Sequence, residues 1–147
     1  MFKFLDFDCL DDGEITLLLC EKAHADEKKG YVPAYKYTII KDGFSAGKCD
    51  IRIGDNDNTW YGGHIGYEVF PGFRGRHYAA KACLLLKRVA AAHGMKRLYI
   101  SCDPDNAASR KTAEYLGAKL VATVDLPETQ EMYLLGDRKK CIYEWEI

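Results

Sequence analysis

The sequence contains no C-x-x-C pair and no cluster of histidines, cysteines and carboxylates at metal-ligand spacing, so no metal centre is expected. No apolar run approaches the ~18 residues that a membrane-spanning helix requires. The segment Met1 to Asp8 carries acids where a secretory leader carries bases, which makes cytoplasmic residence the expectation and gives no membrane partner. A basic excess is missing as well. The 21 basic and 22 acidic side chains leave a net charge of −1, whereas a nucleic-acid binder usually shows a basic footprint. Neither a Walker loop nor a G-x-G-x-x-G fingerprint occurs, which removes two common phosphate cradles. Repeats, low-complexity tracts and long linkers are absent, and 147 residues suit one compact unit, so a single domain over 1–147 is expected.

What is present is an ordinary globular balance: 48% hydrophobic and 29% charged residues, enough to bury a core without cross-links. The cysteines (Cys9, Cys20, Cys49, Cys83, Cys102, Cys141) read as reduced, mostly buried thiols. Strand patterns fall at Glu14 to Leu19, Tyr35 to Lys41 and, across Asp42-Gly43, Gly47 to Gly54. Between the first two, a polar helix is expected over Glu21 to Lys29, stopped by Gly30. Asp55 to Asn58 reads as a turn before a strand from Tyr61 to Phe70. The period then changes. Tyr78, Ala82, Leu85, Leu86, Val89 and Ala90 form a helical stripe within Arg76 to His93, closed by Gly94. Leu98 to Cys102 is a short buried strand, Asp105 to Leu116 a second amphipathic helix, and Leu120 to Leu126 and Lys140 to Ile147 close the chain as strands. This order predicts an α/β (α+β) fold in which helices flank a mixed, mostly antiparallel sheet. The last strand alternates, which leaves one face to line a site or a homodimer contact; the sequence keeps both open.

The most informative stretch runs from Val69 to Ala79, where a strand turns directly into a helix. A helix start exposes unpaired backbone N–H groups and the positive end of the helix dipole. Gly72 and Gly75 let the backbone approach a ligand, and Arg74 and Arg76 add charge. Together these features suit a pyrophosphate. At this turn the sequence resembles the GNAT superfamily of acyl-CoA-dependent N-acetyltransferases, whose signature is Gln/Arg-x-x-Gly-x-Gly/Ala. Arg74 and Ala79 fit it, while His77 stands at the central glycine. A second block of that family, asparagine-x-x-alanine/serine with a later glycine, is matched by Asn106 to Ser109 and Gly117.

The resemblance implies a sheet that splays open between two parallel strands, with acetyl-CoA as cosubstrate in the gap and an amine of a small molecule, peptide or protein N-terminus as acceptor. Val69, Arg74, Gly75, Arg76, His77, Tyr78, Ala79, Asn106 and Ser109 are then the cofactor-binding residues. Asn106 and Ser109 also have a simpler reading, as caps of their helix. Two family acid–base positions are vacant: the tyrosine that many members carry on the later helix is Ala113, and a glutamate of the preceding strand is Ser101. Strand alternation puts His64 and Glu68 on one face with Gly66 between them, so these two are the expected catalytic residues. The vacancies keep two other readings open, a non-catalytic acyl-CoA sensor and a protein-interaction domain of the same fold.

Overall fold

A computed structural model describes residues 1–147. It begins with five strands, β1 (Cys9–Asp11), β2 (Thr16–Ala23), β3 (Ala34–Lys41), β4 (Phe44–Arg52) and, after the short helix α1 (Asp57–Gly62), β5 (Ile65–Val69). The helix α2 (Tyr78–Ala92) and the strand β6 (Arg97–Cys102) follow, then α3 (Ala107–Tyr115), β7 (Lys119–Asp125), α4 (Glu131–Leu134) and β8 (Lys139–Glu146). The first five strands form one antiparallel sheet in chain order, and β6, β8 and β7 form a second with β8 in the middle. The meander arises as the alternating segments predict. Asp42 and Gly43 both take positive φ, 51° and 79°, in the turn between β3 and β4, as a tight right-twisted hairpin requires.

One face of the large sheet presents Leu17, Tyr35, Tyr37, Ile39, Cys49, Ile51 and Ile65 to the core, where α2 supplies Leu85, Leu86 and Val89. Each fully buried aliphatic side chain contributes on the order of 1.5–3 kcal/mol. The opposite face carries Leu18, Cys20, Lys36 and Lys48, all exposed. In the small sheet, β8 is buried on both faces, with Cys141, Tyr143 and Trp145 on one and Lys140 and Ile142 on the other. No helix is long and apolar enough to cross a membrane.

Four local expectations are corrected. Glu21 to Ala23 continue β2, and the rest of the expected helix is a turn closed by the Asp26–Tyr31 bridge. That segment has no apolar stripe to bury, and Glu21 pairs with Lys36 of β3 instead. The expected turn before β5 is α1. Asn56 and Thr59 cap it reciprocally, each side chain accepting the other's backbone N–H. The first strand begins later, at Thr16, with the small β1 beside it, and α4 has no counterpart in the expected order. The thiols are mostly buried, as expected, with Cys9 and Cys20 the exposed pair. All six are free.

Candidate active site

The strand β5 is the last of the large sheet, so one of its edges faces β6. The two strands are joined at one end only, where His64 and Tyr99 exchange two bonds. His64 N–H donates to the Tyr99 carbonyl at 2.8 Å, and Tyr99 N–H donates to Nδ1 of the imidazole at 2.8 Å. Beyond that rivet the sheets part. On the helical side of the gap lies a groove of about 710 Å³, lined by β5, the turn before α2 and the first two turns of α3.

Eight of the nine expected cofactor residues line this groove: Val69, Arg74, Gly75, His77, Tyr78, Ala79, Asn106 and Ser109. Arg76 is exposed beside it, outside the lining. The reason lies in the backbone. α2 starts at Tyr78 with no side-chain cap, because His77 makes no capping bond. Its first-turn N–H groups therefore have no partner within the helix and remain available to an anion. His77 takes φ 61°, ψ 25°, the left-handed conformation that a glycine adopts without cost. For histidine it costs roughly 1–2 kcal/mol. Its ring stacks on Tyr115, with centroids 4.3 Å apart and planes at 13°, which offsets part of that cost. Arg74 folds back so that its Nε donates to the Val69 carbonyl at 2.7 Å, leaving the two terminal guanidinium nitrogens free of internal partners.

On the α3 side, Asn106 Oδ1 accepts the Ser109 N–H at 3.1 Å, so the simpler capping role is realised within the groove itself. The Ser109 hydroxyl bonds the Tyr67 hydroxyl at 2.7 Å. Burial pushes the Tyr67 phenol up to about 12, so it stays protonated and acts as a hydrogen-bond donor. Sequence reasoning missed Tyr67. It lies one strand away from Ser109, and only the pleat of β5 brings its side chain to α3. The vacancies are physical as well: Ala113 is fully buried, and the Ser101 hydroxyl donates to the Tyr61 carbonyl at 2.6 Å.

His64 does not fit its expected catalytic role. It is fully buried, and both ring nitrogens are engaged. Because Nδ1 accepts from Tyr99, Nε2 carries the proton and donates to the Gly54 carbonyl at 2.9 Å and Asp55 Oδ1 at 3.1 Å. Burial lowers its pKa, which holds the ring neutral. A base needs a lone pair that the substrate can reach, and this ring has none. Glu68 lies where alternation puts it, on the solvent-facing side of β5. It is 52% exposed and 3.6 Å from Lys48 Nζ. Between them, Gly66 N–H donates to Asp50 Oδ1 at 2.8 Å, a carboxylate that the sequence pattern did not single out.

That solvent-facing side holds a second cavity of about 500 Å³, lined by Glu21, Lys36, Lys48, Asp50 and Glu68 among others. Tyr67 and Glu68 border both this cavity and the helical groove. A third space of about 360 Å³ extends it past Lys36 and Asp50 toward α1 and α4. The strand β5 thus separates an anion-receptive groove from an open, charged trough.

An uncapped helix start, a splayed strand edge and a cavity across that strand define the architecture of acyl-CoA-dependent acyltransferases. Residues 9–119 match the model of the acetyltransferase (GNAT) domain, and the chain belongs to that family. Among solved structures, the microcin C7 self-immunity acetyltransferase MccE, in complex with acetyl-CoA and AMP, is 26% identical with a TM-score of 0.61. The match covers 82% of this chain and 63% of that one, so the chain spans less than two thirds of that relative. The Salmonella typhimurium acetyltransferase that modifies the N-terminal serine of ribosomal protein L7/L12 is 25% identical, with a TM-score of 0.60 over 82% of this chain and 67% of that one. An apo form of the L7/L12 enzyme RimL aligns over 95% and 94% of the two chains at a TM-score of 0.69, and at 19% identity that likeness speaks for the fold. No curated protein matches the chain.

Proposed function

We propose that the protein transfers the acetyl group of acetyl-CoA to a primary amine, with the cofactor in the helical groove and the acceptor in the trough across β5. The observation that carries this reading is the sharing of Tyr67 and Glu68 by the two cavities, because an acyl group has to pass from one to the other at that point. The residues fit the cofactor. The N–H groups at the start of α2 and the free guanidinium nitrogens of Arg74 suit a pyrophosphate. The far edge of β5, unpaired toward β6 beyond the rivet, suits the amides of a pantetheine arm. In this reading the Tyr67 hydroxyl donates to Ser109, and the Ser109 hydroxyl donates its own hydrogen bond to the developing thiolate.

The trough is open along the sheet face, with room for an extended chain. A peptide or protein N-terminus is therefore the acceptor class we favour, in keeping with the L7/L12-modifying relatives. The test pairs calorimetric titration with acetyl-CoA and a free-thiol assay over small amines and short peptides. Saturable binding with amine-dependent thiol release is expected. Binding without release from any amine would favour the acyl-CoA sensor, a reading for which the buried Ala113 at the family's tyrosine position speaks.

A further inference from the structure

We infer that Asp50 receives the ammonium group of the acceptor and takes its proton before acyl transfer. The inference rests on the acetyltransferase reading above and assigns the group that prepares the acceptor. Asp50 leaves β4 on the trough side, and its carboxylate lies over β5, with Oδ1 accepting the Gly66 N–H at 2.8 Å. Gly66 makes that seat. A Cβ at position 66 would stand 2.7 Å from the same oxygen, inside contact distance, so any other residue displaces the carboxylate. Oδ2 forms an ion pair with Arg52 Nη2 at 3.6 Å, too long for a hydrogen bond, so its lone pairs stay open to an incoming donor.

Position separates Asp50 from the other carboxylates of the trough. Its side chain is 22% exposed against 52% for Glu68 and 59% for Glu21. An ion–ion contact strengthens as water is excluded, so the sheltered carboxylate holds an ammonium best. Asp50 also borders both trough cavities, whereas Glu21 and Glu68 line only one of them and Glu131 only the other. The titratable and charged groups that share its cavities include Lys36 opposite on β3, Lys48 and Arg52 on β4, Glu68 on β5, Glu21 on β2, Glu131 on α4 and His24 after β2. Lys48 lies against Glu68 at 3.6 Å and Lys36 against Glu21 at 4.0 Å, so both lysines are engaged elsewhere.

The step balances as follows. Asp50 takes one proton from the acceptor's ammonium, directly or through one water, and later returns it to solvent. The freed nitrogen lone pair attacks the thioester carbonyl, the C–N bond forms and the C–S bond breaks. The nitrogen's second proton leaves with the thiolate, giving amide and free CoA thiol.

The experiment compares wild type, Asp50→Asn, Gly66→Ala and Glu68→Gln by acetyl-CoA calorimetry and by turnover across pH with the best peptide amine. Asp50→Asn keeps an oxygen for the Gly66 N–H, so its acetyl-CoA affinity should equal that of wild type. Its kcat should fall roughly 10²–10⁴-fold, with loss of the acidic limb. Gly66→Ala retains the carboxylate but moves it, and should lose about 10²-fold in kcat while keeping the limb. Near-normal turnover by Asp50→Asn, or loss of the limb in Glu68→Gln instead, overturns the assignment while leaving the acetyltransferase reading intact. A wild type that binds acetyl-CoA and acetylates nothing overturns both.

Discussion

The two sides of β5 are built from different materials. The helical side relies largely on backbone, the uncapped N–H groups at the start of α2 and an unpaired strand edge, with the Asn106 side chain capping α3 beside them. The trough side is made of side chains that meet across strands, Asp50 over Gly66, Lys48 beside Glu68 and Lys36 beside Glu21. Backbone recognition needs few particular residues and tolerates even a histidine at the turn. Side-chain recognition depends on register, so one family can keep the first side while varying the second. The two vacant acid–base positions, Ala113 on α3 and Ser101 on β6, lie outside the trough, so a proton acceptor has to come from the trough's own side chains.

Breaking the rivet should have the largest effect, because both sides hang on it. His64→Ala leaves the Tyr99 N–H without its partner and opens a buried space, which costs on the order of 2–5 kcal/mol. Urea unfolding should show that drop directly. The same histidine predicts a pH dependence. Its folded pKa is lowered, so its contribution is complete above the unfolded value near ~6.5 and is lost as pH falls below it. Wild-type stability should decline through that window with a steeper slope than His64→Gln. His93, also lowered by burial, leaves a residual slope in the variant.

Next comes the helical side. Replacing Arg74 and Arg76 together by alanine should weaken acetyl-CoA about 10- to 100-fold by calorimetry, the worth of one charge-assisted contact. Stability should barely move, since both side chains are exposed. Tyr67→Phe removes only the hydroxyl that meets Ser109 and should lower kcat about 2- to 10-fold at unchanged acetyl-CoA affinity. His77→Gly should change least. It relieves the left-handed strain but loses the Tyr115 stack, and these two effects, each near ~1 kcal/mol, oppose one another. A thermal melt within a few degrees of wild type would bear out that cancellation.

The same division sets what was legible in the sequence. The meander, α2, α3 and the closing strands follow from periodicity and turn residues, and the groove follows from a strand–turn–helix pattern that is local in the chain. The failures are the non-local ones. The polar stretch after Glu21 has helix-forming residues, yet pairing with β3 overrides them. α1 was signalled by Asn56 and Thr59, three residues apart, but the run of Asp and Asn around them also spells a turn. His64 was expected on a strand but stands just before β5, and it is held there by Gly54, Asp55 and Tyr99, partners from a loop and from another sheet. Asp50 and Tyr67 act through neighbours on other elements, Gly66 and Ser109, and no spacing rule within one strand reveals such pairs.

The separation of the two sides by β5 is tested most directly by hydrogen–deuterium exchange with and without acetyl-CoA. The account predicts slowed exchange at residues 67–69, at 75–80 and in the first turn of α3, with residues 36–38 and 48–52 unchanged. A peptide acceptor added afterwards should slow exchange along the trough, at residues 21–23 and 36–38. Protection of the trough strands by acetyl-CoA, with the start of α2 exchanging as before, would contradict it.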